Sequence, residues 1–104
     1  MKSRILVVDD EESIREFLEI MLKKEGYEVT TAEDGARAKE ILTKKSFDMI
    51  ISDLQMPNVT GIELLKHVKE SYPDTVFMLI TAFGTTETAV DAMKMGAYDY
   101  VTKP

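Results

Sequence analysis

Short apolar runs alternate with helical apolar periods along the whole chain, and no other feature limits the possible folds as strongly. The runs are "RILVV" (4–8), "YEVTTA" (27–32), "DMIIS" (48–52), "TVFMLI" (75–80) and the closing "YDYVTKP" (98–104). After the first run, Ile14, Phe17, Leu18, Met21 and Leu22 follow the i, i+3, i+4, i+7, i+8 stripe of a helix lying on a core. Ser13 with Glu16 reads as a capping box at its start, and Gly26 as the residue just past its end. Asp34 offers an N-cap to a shorter helix through Ala38, Ile41 and Leu42. A third helix carries Leu64, Leu65 and Val68 on one side, after a loop broken by Pro57 and Gly61. A fourth runs from about Thr86 through Ala89, Val90 and Met93 to Gly96. Strands separated by helices of this length run parallel, and right-handed crossovers place helices on both faces. The class is α/β, an open doubly wound sheet. The alternating "YEVTTA" suits an edge strand with one wet face. "TVFMLI", the most apolar run, suits a central one.

Such a sheet needs a helix after its last strand, and this chain reaches Pro104 directly after the fifth strand. Four or five missing apolar side chains, each worth about 1.5–3 kcal/mol, rival the whole stability of a small domain, roughly 5–15 kcal/mol. The expectation is a fragment, or a chain whose open face is covered by another copy, and hence self-association.

With 104 residues, 44% hydrophobic and 31% charged, the composition is that of one soluble globular domain. No apolar run approaches the roughly 20 residues of a membrane helix. The start "MKSRILVV" lacks the features of a signal peptide. There are no cysteines, so disulfides and thiolate metal sites are excluded, and a cytoplasmic location is compatible. The formal charge of −6 argues against direct nucleic-acid binding and against an anionic membrane surface. A divalent cation or a basic protein face is the better partner.

In an open α/β sheet the functional crevice lies beyond the carboxyl ends of the strands. The first strand runs straight into Asp9, Asp10 and Glu11, the third delivers Asp53, the fourth Thr81, and the fifth Tyr100 and then Lys103. Carboxylates, a hydroxyl and an ammonium therefore converge at one edge, with no His or Cys among them. Hard oxygen ligands of this kind select Mg²⁺ over zinc or copper. A cation, a lysine and a threonine hydroxyl around a carboxylate suit phosphoryl transfer onto that carboxylate. Asp53, alone at a strand end, is the attacking group; Asp9 and Asp10 would hold the metal. Without a cation these acids repel one another.

The segments "VVDDEES", "ISDLQMPNVTG", "LITAFG" and "YVTKP" resemble, in order and spacing, the signature segments of the receiver domain of bacterial two-component response regulators. The resemblance spans the chain, residues 1–104. It implies a flavodoxin-like five-stranded parallel sheet of order 2-1-3-4-5, here with the final helix absent. It also implies roles for particular residues. Asp53 is the phosphoacceptor, Asp10 a direct Mg²⁺ ligand and Asp9 a ligand mainly through water. The backbone carbonyl of Gln55 completes the metal shell, Thr81 and Lys103 bind the phosphoryl group, and Tyr100 is the aromatic switch. The implied donor is a sensor histidine kinase. "ITAFGTTETAVDAMKMGAYDYVTKP" further resembles receivers of the nitrogen-regulation type, which precede an ATPase and a DNA-binding segment in sigma-54 activators. On this reading the domain is a switch in transcription control and not a turnover enzyme. It is a cytoplasmic partner of its kinase, with no membrane or direct nucleic-acid contact.

Two rival functions fit parts of the pattern. A Mg²⁺-dependent aspartyl-phosphate phosphohydrolase would share the acid cluster, but Gln55 stands where a second acid would follow Asp53, and no cap domain is present in the sequence. A phosphorylation-independent binding module would not need the acid–Thr–Lys set. Taken singly, each residue has a plainer role. The acids complement a helix dipole, Asp53 caps a loop, Lys103 is solvated, His67 faces water and the methionines fill the core.

Overall fold

The computed structural model of the chain describes residues 2–54, 56, 59–81 and 86–102. The elements alternate strictly: β1 (Arg4–Val8), α1 (Glu12–Lys24), β2 (Glu28–Ala32), α2 (Gly35–Leu42), β3 (Met49–Asp53), α3 (Gly61–Ser71), β4 (Val76–Thr81), α4 (Thr86–Lys94) and β5 (Asp99–Thr102). The strands form one sheet in the order β2-β1-β3-β4-β5, and every pairing is parallel. The doubly wound class expected from the alternation is observed, and so is the flavodoxin-like order 2-1-3-4-5 that the resemblance implied. β2 is an edge strand, as its pattern implied. β4 is interior but not central; the middle of the sheet is β3. An interior strand is covered on both faces wherever it lies, so apolar content marks it as interior without giving its order.

Helices divide the core in two. On one face Leu64, Leu65 and Val68 of α3, Ala38, Ile41 and Leu42 of α2, and Ala92 of α4 pack on Leu6, Ile50, Phe77 and Leu79. On the other face, Leu18 of α1 packs with Ile5, Val7 and Ile51, flanked by the partly buried Ile14, Leu22, Met49, Met78 and Ile80. There, Ile5, Leu22, Met49, Ile51 and Met78 border an open apolar groove of about 480 Å³. Only part of the α1 stripe faces the sheet. Phe17 is 60% and Met21 41% exposed, because these two positions flank the row 14–18–22 that meets β1. Likewise Val90 and Met93 of α4 face outward, and Ala92 turns inward.

Helix ends follow local chemistry. Glu25 is the C-cap of α1, and Gly26 has φ 94°. The Gly26 and Tyr27 N–H groups donate to the Lys23 and Leu22 carbonyls at 3.0 and 3.2 Å, the paired bonds of a Schellman turn. At the other end, α1 starts earlier than the capping box at Ser13 suggested. Its N-cap is Glu11, without a side-chain cap, since the Asp9 carboxylate has already turned the chain by accepting the Glu11 N–H at 2.9 Å. Gly61, expected to break a loop, is the first residue of α3, capped by the Thr60 hydroxyl. Asp34 caps α2 as anticipated, its Oδ1 accepting from the Arg37 N–H at 2.8 Å. Asp34→Ala is expected to lower stability by about 1 kcal/mol, measured by urea unfolding at neutral pH.

Candidate functional site

Because every strand is parallel, the carboxyl ends of β1, β3, β4 and β5 share one edge of the sheet. Register then sets which residues meet. Val8 pairs with Ser52, which sets Asp9 beside Asp53. Asp53 in turn pairs with Ile80, which sets Thr81 one step beyond it. Asp9, Asp53 and Thr81 are 1%, 5% and 2% exposed, so three polar side chains lie buried at the end of an apolar sheet. Asp10 and Glu11 stand above them in solvent.

One carboxylate oxygen from each of Asp9, Asp10, Glu11 and Asp53 lies within 4.8 Å of the others. At that separation two like charges repel by roughly 1 kcal/mol in water and about 3–4 kcal/mol at the effective dielectric near a protein surface. The fold therefore holds together acids that would separate in a free peptide. All four donors are carboxylate oxygens, with no nitrogen or sulfur among them. This set fits a hard divalent cation and would suit zinc or copper poorly.

The turn carrying two of these acids is tightly held. The Asp9 N–H donates to the Ala32 carbonyl at 3.1 Å, tying the turn to the end of β2. The Asp9 carboxylate accepts the Glu11 N–H, forming an Asx turn. Arg15 Nη1 donates to the Asp9 carbonyl oxygen at 2.8 Å. Arg15 is a site residue that reading the sequence missed. No motif marks it, and only its place in the second turn of α1, looking back over the acidic turn, could have found it.

The structure thus brings together Asp9, Asp10 and Asp53, adds Glu11 to them, and places Thr81 at the same edge. Tyr100 pairs with Leu79 and is half-buried against the core on the α2–α3–α4 face, with its hydroxyl buried and without a hydrogen-bond partner among the described residues. Gln55 and Lys103 lie outside the described residues. β5, which leads to position 103, ends at Thr102, paired with Thr81. His67 stands away from the cluster, its ring edge-on to Tyr72 with centroids 6.0 Å apart.

Residues 5–104 match the family model of the response regulator receiver domain. The chain is 37% identical over 103 residues to the response regulator protein PilR of Pseudomonas aeruginosa, covering 99% of this chain and 23% of that protein. It therefore spans about a quarter of the length of that relative. The solved receiver-domain dimer of beryllofluoride-activated NtrC4 superposes with a TM-score of 0.92 at 42% identity, covering 97% of this chain and 84% of that one. The response regulator TrrA of Thermotoga maritima, solved in complex with Mg²⁺ and BeF, gives a TM-score of 0.89 at 38% identity, with coverage of 100% and 88%.

Proposed function

This chain belongs to the response regulator receiver family of phosphorylation-dependent signalling switches, and from that premise we propose that Asp53 is its phosphoacceptor. The gathering of Asp9, Asp10, Glu11 and Asp53 within 4.8 Å at one sheet edge carries the proposal.

In this reading an Asp53 carboxylate oxygen attacks the phosphorus of a phosphohistidine on a sensor kinase. The new bond joins that oxygen to phosphorus, the phosphorus–nitrogen bond breaks, and its electron pair stays with the departing imidazole. Asp9, Asp10 and Asp53, with the backbone carbonyl of Gln55, would hold Mg²⁺. When bound, the ion neutralises charge on the phosphoryl oxygens. The Thr81 hydroxyl, buried next to the end of β3, donates to a phosphoryl oxygen, and the Lys103 ammonium pairs with another. Movement of Thr81 frees space that the Tyr100 ring occupies. The face made by α4 and β5, where Val90, Met93 and Val101 are exposed, repacks with it. The step modifies the protein itself, so the domain is a switch and not a turnover enzyme.

The similarity to PilR and NtrC4 supports a place in transcription control of the sigma-54 type, with the output supplied by other parts of a longer protein. Exposed apolar side chains on α4 and β5, together with the open groove beside α1, support self-association. Among the described residues no helix is long and apolar enough to cross a membrane. The charge of −6 argues against direct contact with nucleic acid. We place the domain in the cytoplasm, with its kinase.

Calorimetric titration tests the cation half of the proposal. Mg²⁺ is expected to bind the unaltered chain, and Asp10→Asn to weaken binding at least about tenfold, the size of a coupling of 1.4 kcal/mol. Equal affinity of the two proteins would remove Asp10 from the site.

A further inference from the structure

Resting on Asp53 as the phosphoacceptor, we infer that Gly35 is a positioning residue for that carboxylate, acting through a series of hard contacts. Gly35 and Gly61 are both buried first residues of helices, and neither is among the positive-φ glycines, which among the described residues are Gly26 and Gly96. Backbone freedom therefore does not account for them; space does.

A Cβ built on Gly35 would lie 2.6 Å from Val59 Cβ, 2.7 Å from Val59 Cγ1 and 2.8 Å from the Val59 carbonyl oxygen. Carbon atoms in contact sit about 3.5–4.0 Å apart, so Val59 rests directly on bare main chain at the start of α2. Two residues later the same loop meets β3. The Gly61 N–H donates to the Leu54 carbonyl at 2.9 Å. A Cβ at Gly61 would strike the Asp53 carbonyl oxygen and lie 2.8 Å from Leu54 Cα. Leu54 and Met56, at 6% and 7% exposure, anchor the loop in the core.

Val59 and Gly61 are therefore wedged between the start of α2 and the end of β3. A side chain at position 35 pushes Val59 outward, and with it Thr60, the cap of α3, and Gly61, which bears on Asp53 itself. Close-packed interiors have little slack to absorb such a push. A displacement of about 1 Å at reacting groups costs up to 10²-fold in rate.

The test compares Gly35→Ala, Gly35→Ala with Val59→Gly, and Gly26→Ala. It measures acetyl-phosphate labelling of Asp53 by mass spectrometry, Mg²⁺ affinity by calorimetry and melting by circular dichroism. Gly26 lies at the opposite edge of the sheet, and a Cβ there meets nothing within 4 Å. Gly26→Ala thus carries the backbone strain without a push on the site. Gly35→Ala is expected to slow labelling about tenfold or more and to weaken Mg²⁺ binding severalfold. Val59→Gly, which removes the two side-chain contacts and leaves only the carbonyl oxygen close, is expected to restore part of both, and Gly26→Ala to melt lower with labelling unchanged. A folded Gly35→Ala protein that labels like the unaltered chain, or equal slowing in Gly26→Ala, overturns the inference. If Gly35→Ala does not fold, Val59→Ala takes its place: loosening the wedge predicts slower labelling at near-native melting, and unchanged labelling overturns it. An unaltered chain that takes no label at Asp53 is a separate outcome, overturning the phosphoacceptor reading and this inference with it.

Discussion

Asp53→Asn is expected to abolish labelling by acetyl phosphate while leaving the far-ultraviolet circular dichroism unchanged. The carboxamide keeps the size and shape of the side chain but lacks the anionic oxygen that attacks phosphorus. A loss of at least about a hundredfold corresponds to roughly 2.7 kcal/mol in the barrier. The site offers no obvious substitute. Asp9 is as deeply buried as Asp53 but occupied by its turn, where its carboxylate accepts the Glu11 N–H and its carbonyl accepts from Arg15. Asp10 and Glu11 stand in solvent, outside the buried recess shared with Thr81. Undiminished labelling of Asp53→Asn, followed by tryptic mapping, would move the phosphoacceptor to another residue.

Phe77→Ala is the most damaging core substitution expected. Phe77 is fully buried at the second position of β4, paired with Ile50, in the cluster that joins the sheet to α2, α3 and α4. Its carbonyl also accepts the Tyr98 N–H at 2.7 Å, a bond that guides the chain into β5. Truncating a buried phenylalanine costs about 3–5 kcal/mol, against a total of roughly 5–15 kcal/mol for a domain of this size. At about 4–8 °C per kcal/mol, the melting temperature should fall by more than 12 °C. Tyr98, next to the same hydrogen bond but 68% exposed, provides the contrast. Its replacement by Ala should change stability by no more than about 0.5 kcal/mol. A Phe77→Ala protein that melts within a degree or two of the unaltered chain would contradict the packing described.

Much of this was legible in the sequence because period and spacing are strong local signals. Alternation of runs fixed the parallel class, and the position of each acid at a strand end placed Asp9, Asp10 and Asp53 together. What escaped depends on contacts between distant segments. The N-cap of α1 moved from Ser13 to Glu11 because an Asx turn at Asp9 competes with a capping box. Phe17 and Met21 belong to a helical stripe by period, yet which part of a stripe is covered depends on the width of the sheet beneath it. The interior position of β4 followed from its apolar content and its place beside β5 from the resemblance, whereas apolar content by itself gives no strand order. Arg15 reaches Asp9 across a turn, and Gly35 matters through Val59, twenty-four positions away. Neither pairing has a local signature. Asp34 and Gly26, whose roles are set by the backbone within a few residues, were readable directly.

The most direct measurement is tandem mass spectrometry of the unaltered chain after acetyl phosphate treatment, with Mg²⁺ present and with it chelated. One phosphoryl group on the peptide containing Asp53, formed with Mg²⁺ and nearly absent without it, is the expected result. Phosphate on another residue, or equal labelling in both conditions, would contradict an acid cluster that gathers a hard cation around a single buried nucleophile.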